Sequence, residues 1–416
     1  LWRHLSKASG QDIERLMGTW IGQGGYPVVH VYPDHLVQER FFIGPHTDSN
    51  QVWPIPLGTA PETNLPDLFD ARELWLSVAG DTRLNVRDSS HFITHYQPEH
   101  LAKLLDRLDT LDELGRLQLL HEQTLLARGG AVLSAELVDL LTTYQDETSQ
   151  SVWDIMSVAF GELKKFVESD EAGEIALRQL AVRLARPLHE KLGWEVVQGE
   201  PESDTKLRAL IIGMMIYGEA SEALTHADAL FVKGIEAIDP EVRSLVISAV
   251  VRRTDDAAVI EQLLEIYRKT TSADLRDDIC NGITSVRTPK LIKILLAVLT
   301  DTATIRPQDL AHWFVYLIRN RYARRDTWQW MVTNWDWIQQ MFSGDKSYDC
   351  FPRYAASSII TAEDLEGYKQ FFEPKRNDLA LARTIDLGIR EIEGRVELVE
   401  RDRAAVLAKL QGVVRG

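Results

Sequence analysis

The apolar positions of the first residues recur at the spacing of an α-helix. One helix face carries Ile13, Leu16, Met17 and Trp20. Residues 9–12 provide a turn and an N-terminal cap before this face. The helical period ends at Gly24, which predicts a domain boundary. We expect the region to bury Trp2, Leu5, Leu16 and Trp20. Because residue 1 is a leucine within a helical pattern, we expect residues 1–24 to be the last helices of a preceding domain in a longer protein.

Residues 25–97 change to a period of two, which is typical of β-strands. Runs of apolar and β-branched residues are separated by proline, glycine, asparagine and aspartate, and they lie at 29–31, 36–42, 52–57, 73–78 and 92–96. Short strands joined by turns predict a small antiparallel β-sandwich. Pro54 and Pro56 alternate along one run, so we place that run at a sheet edge.

From residue 98 onward the apolar spacing is almost wholly helical. Glycine or proline breaks separate the helices near residues 129, 193, 201, 240, 289 and 307, and a long helix follows over 379–410. Pairs of these helices take roughly 35 to 40 residues, the length of a helix-hairpin repeat. We therefore predict an irregular α-solenoid of the HEAT or armadillo type over 98–416. The expected fold class is mainly α with a small all-β domain.

Composition and charge narrow the classes of partner. The formal net charge is −16, and a nucleic-acid or anionic membrane partner needs a basic surface instead. No apolar stretch approaches the roughly 20 residues that span a bilayer. The two cysteines, Cys280 and Cys350, do not make a disulfide framework and fit a cytoplasmic protein.

Catalytic motifs begin in this sequence but are not completed. His-Glu-x-x-His places two imidazoles on one helix face for zinc, and His121-Glu122 and His189-Glu190 both lack the closing histidine. His91 and His95 lie in a strand pattern without a third ligand nearby. Cys280 fits a buried structural position in a helix, and the sequence does not decide the role of Cys350. We expect no catalytic residue and no metal ligand in this chain.

Basic residues form a second candidate site within the acidic chain. The candidates are Lys164, Lys165, Arg287, Arg319, Arg321, Arg324 and Arg325. Guanidinium and ammonium groups suit the carboxylate of a peptide. The alternative is that these cations pair with Asp and Glu on adjacent helices, which is common on charged helical surfaces.

Four segments together resemble the C-terminal region of the gluzincin zinc aminopeptidases, the family of aminopeptidase N and puromycin-sensitive aminopeptidase. The first is the junction from Leu1-Trp2 through residues 9–12 to Gly25-Tyr26-Pro27-Val28-Val29. The second is Leu36 to Phe42 followed by Trp53-Pro54-Ile55-Pro56-Leu57. The third is Leu84-Asn85-Val86 with Glu122 to Gly129. The fourth combines Ile305 to Asp309, Trp328 to Trp335, and Phe371-Phe372.

The resemblance implies a division of labour within a longer polypeptide. In that family the zinc ligands and the general-base glutamate belong to an upstream peptidase domain, so zinc would be bound outside this chain. The implied partners are those upstream domains and peptide substrates. Residues 1–24 would end the peptidase domain, 25–97 would form the β-sandwich, and 98–416 would form a helical C-terminal domain like that of the endoplasmic-reticulum aminopeptidases.

The resemblance also implies a role for the basic residues. In such enzymes the helical domain forms a bowl that caps the active site and admits peptides. In antigen-trimming relatives, basic side chains in the bowl hold the peptide carboxylate. Lys164 and Lys165 fall close to one such position, and Arg287 or Ser285 falls at another. The strand from Ser90 to Tyr96 departs from the family pattern and lacks its arginine.

A freestanding α-solenoid that binds protein partners is the competing interpretation, since solenoids commonly serve as scaffolds. The two differ in what precedes Leu1. The peptidase interpretation requires a long upstream region that contains His-Glu-x-x-His, whereas a scaffold gene would have a start codon near Leu1.

Overall fold

The computed structural model describes residues 1–44, 46, 50–58, 65–342 and 346–415. The chain forms two compact units, Leu1–Leu163 and Lys164–Gly416. It is mainly helical, with a small β region near its N-terminus. This confirms the coarse fold class that the sequence predicts.

Two helices open the first unit, α1 (Trp2–Ser9) and α2 (Ile13–Gly22). The carboxylate of Asp12 caps α2 by accepting a hydrogen bond from the backbone N–H of Arg15 at 3.0 Å. The expected burial of Trp2, Leu5, Leu16 and Trp20 is wrong, because neither helix buries any residue. Trp20 alone of these four packs against the buried core of the β region, and its indole N–H donates to the carbonyl of Pro54 at 3.0 Å.

Within the described residues, six strands follow the two helices. They are β1 (Pro27–Val31), β2 (His35–Arg40), β3 (Ile55–Pro56), β4 (Leu68–Phe69), β5 (Glu73–Trp75) and β6 (Ile93–Tyr96). One sheet has the order β5-β2-β1-β6, and β3 pairs with β4 in a second sheet. Side chains from both sheets share one buried core, which includes Val29, Leu36, Trp53 and Phe69.

The sheet is mixed, which corrects the prediction of a purely antiparallel sandwich. β1 pairs antiparallel with β2, and β6 pairs with β1 in parallel, with Val29 opposite Thr94. A parallel neighbour cannot be reached through a tight hairpin. The long connection over residues 76–92 returns the chain so that β6 runs in the same direction as β1.

Four helices follow β6: α3 (Pro98–Leu105), α4 (Glu113–Gly129), α5 (Glu136–Thr143) and α6 (Gln150–Val167), the last of which extends into the second unit. The second unit continues with α7 (Glu171–Leu192), α8 (Glu202–Tyr217), α9 (Ser221–Val232), α10 (Pro240–Arg253), α11 (Ala257–Lys269) and α12 (Ala273–Ile283). Its remaining helices are α13 (Pro289–Val298), α14 (Pro307–Arg319), α15 (Arg324–Thr333), α16 (Trp335–Met341), α17 (Cys350–Ser358), α18 (Ala362–Phe372) and α19 (Ala382–Arg415).

Packing within the second unit follows a simple succession. α7 packs on α8, α8 on α10, α10 on α12, α12 on α14, and α14 on α17. α19 then packs on both α17 and α7, and Arg183 of α7 donates to the backbone carbonyl of Val413 at 3.2 Å. The last helix therefore contacts the first full helix of the unit.

Candidate functional site

The ends of alternate helices build a cavity of about 250 Å³ in the second unit. Lys164 lies in the last turn of α6, Tyr217 ends α8, and Arg252 lies one residue before the end of α10. Arg287 follows α12, and Arg319 ends α14. The C-terminal end of a helix carries a partial negative charge, so it favours nearby cations. This is a local reason why basic residues concentrate here.

We call this space the cationic cavity. Its lining includes the cations Lys164, Arg178, Arg252, Arg287, Arg319 and Arg321, whereas its carboxylates are Glu168 and Glu174. Cations therefore outnumber carboxylates three to one in the lining, although the whole chain is acidic. Such a concentration of one charge attracts anions.

Some of the arginines that line the cationic cavity form ion pairs with glutamates. Arg178 bridges Glu174 at 2.6 Å and Glu219 at 2.8 Å, and Glu219 also binds Arg287 at 2.9 Å. Arg321 contacts Glu174. The alternative expectation, that the cations pair with acids on adjacent helices, therefore holds for Arg287 and Arg321.

Two guanidinium groups of the cationic cavity differ from these. Among the described residues, Arg252 and Arg319 form no ion pair with a carboxylate. The guanidinium carbon of Arg319 lies 5.1 Å from the ring centre of Tyr354. Desolvation and the positive charge of Arg287 lower the pKa of Arg252, yet a guanidinium remains charged in proteins. Arg252 and Arg319 are thus the groups best placed to receive an added anion.

Lys164 occupies a special position in the cationic cavity. Its ammonium nitrogen lies 4.4 Å from the ring centre of Tyr217, within the range of a cation–π contact. Desolvation and the positive charge of Arg252 lower the pKa of Lys164 to about 8. Desolvation, followed by the charge of Glu174, raises the pKa of Tyr217 to about 12, so that hydroxyl stays neutral.

The other predicted cations lie elsewhere. Arg324 and Arg325 line a neighbouring cavity of about 580 Å³ together with Trp328, and Arg321 borders both cavities. Arg324 binds Glu168 through two hydrogen bonds of 2.7 and 3.0 Å. Lys165 lines neither cavity, and its ammonium lies 5.4 Å from the ring centre of Phe166. Ser285 and Arg287, the two alternatives for one position, both line the cationic cavity.

Sequence reasoning missed Arg178, Tyr217 and Arg252. Arg252 is one of two consecutive arginines that end α10, which is a common way to terminate a helix. Arg178 is one of several basic residues spaced along α7. No local signal separates either residue from an ordinary surface arginine, since only the packing of distant helices brings them together.

Three residues considered for catalysis or metal binding, Glu122, His95 and Cys280, make internal contacts or are buried. The carboxylate of Glu122 accepts hydrogen bonds from the backbone N–H and the hydroxyl of Thr94, both at 3.1 Å. His95 contacts His30 at 2.9 Å between their Nδ1 atoms, and desolvation lowers the pKa of His95 to about 4. Cys280 is buried, which raises the pKa of its thiol. Among the described residues, no three His, Cys, Asp or Glu side chains come together in a way that could hold a metal ion.

The chain is similar in sequence to proteins of a known family. Residues 83–394 match the family model described as "ERAP1-like C-terminal domain". The chain is 31% identical over 422 aligned residues to aminopeptidase N of Lactococcus lactis subsp. cremoris (strain MG1363), which covers 98% of the chain and 50% of the relative. It is 30% identical to aminopeptidase N of Lactobacillus helveticus, with the same coverage.

More distant relatives also match most of this chain but less than half of their own length. The chain is 24% identical over 397 aligned residues to glutamyl aminopeptidase of Bitis rhinoceros, which covers 89% of the chain and 41% of that protein. The chain spans about half the length of the curated relatives that it matches. These matches confirm the resemblance to the C-terminal region of the aminopeptidase N family. None of the described helices combines the length and the apolar character that crossing a bilayer requires.

Proposed function

Since this chain belongs to the family of ERAP1-like C-terminal domains, we propose that it is the non-catalytic C-terminal part of a zinc-dependent aminopeptidase. The proposed enzyme releases N-terminal residues from peptides in the cytoplasm. Its zinc and its catalytic groups belong to a peptidase domain of the same polypeptide. The names of the relatives and their greater length support this assignment. The chain contains only two cysteines, too few for a disulfide framework, which supports the compartment.

The helical part, residues 98–416, serves in this proposal as a bowl that caps the active site and limits access to peptides. Alternate helices from α6 to α14 bring their C-terminal ends to one cavity, which supports an irregular α-solenoid built from helical hairpins. The core shared by the two sheets supports a small β-sandwich over 25–97. Residues 1–24 then belong to the end of the peptidase domain.

The observation that carries the proposal is the cationic cavity. A peptide that is cut from its N-terminus must be held elsewhere, and its C-terminal carboxylate offers a charge common to all peptides. Arg252 and Arg319 form no ion pair with a carboxylate among the described residues, and Lys164 lines the same cavity. Guanidinium groups bind carboxylates through paired hydrogen bonds. We assign the carboxylate site to Lys164, Arg287, Arg319 and Arg321, with Arg252.

A binding experiment tests this site. A short labelled peptide with a free C-terminal carboxylate is titrated with the chain and compared with the same peptide as a C-terminal amide, using fluorescence anisotropy. We expect the amide to bind at least about tenfold more weakly, because one charge-assisted hydrogen bond contributes about 1.5 to 3 kcal/mol. Lys164→Met and Arg319→Met should each weaken binding of the free carboxylate.

Lys165→Met is the matched control, since Lys165 is the next residue of α6 and lines neither cavity. It should bind like the unchanged chain. Equal affinity for the acid and the amide, or binding that survives loss of charge at Lys164, Lys165 and Arg287 together, would refute the carboxylate site.

The assignment of catalysis has its own test. The chain alone should not hydrolyse aminoacyl amides, whereas the longer polypeptide should hydrolyse them, lose activity with a chelator and regain it with zinc. Chelator-sensitive turnover by the isolated chain would contradict the proposal.

A further inference from the structure

Lys164 combines an accessible amine with an anion-attracting cavity. We propose that Lys164 is a covalent modification site for small anionic aldehydes, whose charged group is held by the neighbouring guanidinium groups while the amine attacks the carbonyl carbon. This inference goes beyond peptide binding and does not depend on it.

The position of the amine supports the proposal. Lys164 lies in the last turn of α6, where the residue as a whole is exposed, whereas its ammonium group lies in the cationic cavity and is partly desolvated there. Its ammonium nitrogen lies against the Tyr217 ring, 4.4 Å from the ring centre. The aromatic face restricts the positions that the amine can take, which directs it within the cationic cavity rather than leaving it to move freely in solvent.

The surrounding charge selects the reagent. Arg252 and Arg319 line the same cavity and form no ion pair with a carboxylate among the described residues. A phosphate or carboxylate group in the cavity therefore meets guanidinium donors from the same lining, of which Arg252 acts electrostatically on Lys164, and it gains an attraction that a neutral aldehyde lacks. Binding before reaction also raises the effective concentration of the carbonyl group.

The protonation state of Lys164 favours the reaction. Desolvation and the positive charge of Arg252 lower its pKa to about 8, so a substantial fraction of the amine is neutral in mildly alkaline solution. Only the neutral amine carries the nucleophilic lone pair. Lysines are commonly activated in this way by desolvation or by another cation.

The chemical step balances without another reactant. The nitrogen lone pair forms a bond to the carbonyl carbon, and the carbonyl electron pair moves to oxygen, which takes a proton from the nitrogen. Loss of water, made from that hydroxyl group and a second proton, leaves an imine between Lys164 and the aldehyde carbon. Borohydride then supplies a hydride to the imine carbon and fixes the adduct as a secondary amine.

Pyridoxal phosphate is the probe for the experiment. The chain is incubated with it, reduced with sodium borohydride, digested, and analysed by mass spectrometry for the labelling rate of each lysine. Lys165 is an internal control on the same helix, because it lines neither cavity. We expect Lys164 to be labelled at least about tenfold faster than Lys165, in line with the effect of one charge-assisted contact.

Two further arms separate charge attraction from simple exposure. Pyridoxal, which lacks the phosphate, should lose most of this preference for Lys164. Arg252→Met should slow the labelling of Lys164 by pyridoxal phosphate, because it removes an anion contact and a charge that keeps the amine neutral. Circular dichroism checks that the variant is folded, and the comparison of reagents on the unchanged chain does not need the variant.

Equal labelling of Lys164 and Lys165, or an undiminished preference with pyridoxal, would overturn the proposal. Failure of peptide binding in the earlier titration would leave it standing, since the two experiments measure different ligands. Likewise, a chain that binds the peptide carboxylate but shows no selective labelling would retain the proposed function alone.

Discussion

At the scale of single residues, Glu122 is a buried carboxyl group with a defined energetic consequence. It lies in α4, and one of its oxygens accepts hydrogen bonds from Thr94 of β6 and, at 3.4 Å, from Gln118. Burial raises its pKa from 4.5 to about 8, despite these hydrogen bonds. The folded chain therefore holds a proton between these pH values that the unfolded chain releases.

This shift fixes the sign of a pH dependence. The contribution of Glu122 to the free energy of unfolding is fully present below pH 4.5 and is lost as the pH rises towards 8. Glu122→Gln keeps an oxygen that can accept from Thr94 and removes the titration. We expect the variant to be more stable than the unchanged chain at pH 9, and we expect this difference to shrink towards pH 5.

Urea unfolding at both pH values measures the effect. Glu113→Gln is the matched control, because Glu113 is an exposed residue of the same helix. It controls for the loss of one carboxyl group from the exposed face of α4. If Glu122→Gln had the same pH slope as the unchanged chain, the buried carboxyl group would not titrate as described.

The sequence alone does not predict that Glu122 is buried. His121-Glu122 matches the start of a zinc motif but lacks the closing histidine. Without that motif, the sequence predicts only an ordinary pair of residues on a helix surface. The residue is buried because α4 packs against β6, whose Thr94 lies 28 positions earlier in the chain. A partner at that distance is fixed by the fold and not by local spacing.

At the scale of elements, Gly282 allows α12 to approach α10 closely. A Cβ atom at this position would lie 2.5 Å from Cβ and Cγ2 of Ile247 and 3.1 Å from the carbonyl oxygen of Ser244. The Cβ of Ile247 is attached directly to its backbone, so the side chain cannot simply turn away. Gly282→Ala should destabilise the chain by about 1 to 3 kcal/mol, the usual cost of overpacking.

Gly161→Ala in α6 is the control for the intrinsic effect of the substitution. Outside its chain neighbours and the backbone of its own helix, no atom lies within 4 Å of its Cβ position, so alanine should be neutral or stabilising there, by up to about 1 kcal/mol. The measurement is the change in free energy of unfolding in urea. Similar effects at both positions would show that the contact between α10 and α12 is not as tight as described.

Predictability at this scale depends on whether a signal is local. Pro98, Pro240, Pro289 and Pro307 mark helix starts in the sequence, and each is the first residue of a helix in the structure. The parallel pairing of β1 with β6 was not predicted, because strand direction depends on the path of the long connection between β5 and β6. β4 is two residues long and has no period to detect.

At the scale of the whole molecule, the candidate site was predictable only in part. The cluster from Arg319 to Arg325 is visible because its members are neighbours in sequence, yet the structure divides it between two cavities. Arg252 joins Lys164 in the cationic cavity across almost ninety positions of sequence. The resemblance to a family indicated Lys164 and Arg287, whereas Arg252 required the packing of α10.

The whole chain should fold and remain folded without metal. Among the described residues, no three potential ligands converge on a metal position. A ligand that binds only the folded state raises stability, by about 2.7 kcal/mol when present at 100 times its dissociation constant. Thermal unfolding of this chain should therefore be unchanged by a chelator or by added zinc.

The longer polypeptide proposed above is the comparison for this measurement. If zinc is held by a peptidase domain, the chelator should lower the unfolding temperature of that domain and leave the transition of the present chain where it is in isolation. Differential scanning calorimetry of both proteins, with and without the chelator, resolves the two transitions. Chelator-induced unfolding of the isolated chain would mean that its own side chains bind a structural metal. That result would also contradict the proposal that this chain is a non-catalytic part without metal ligands.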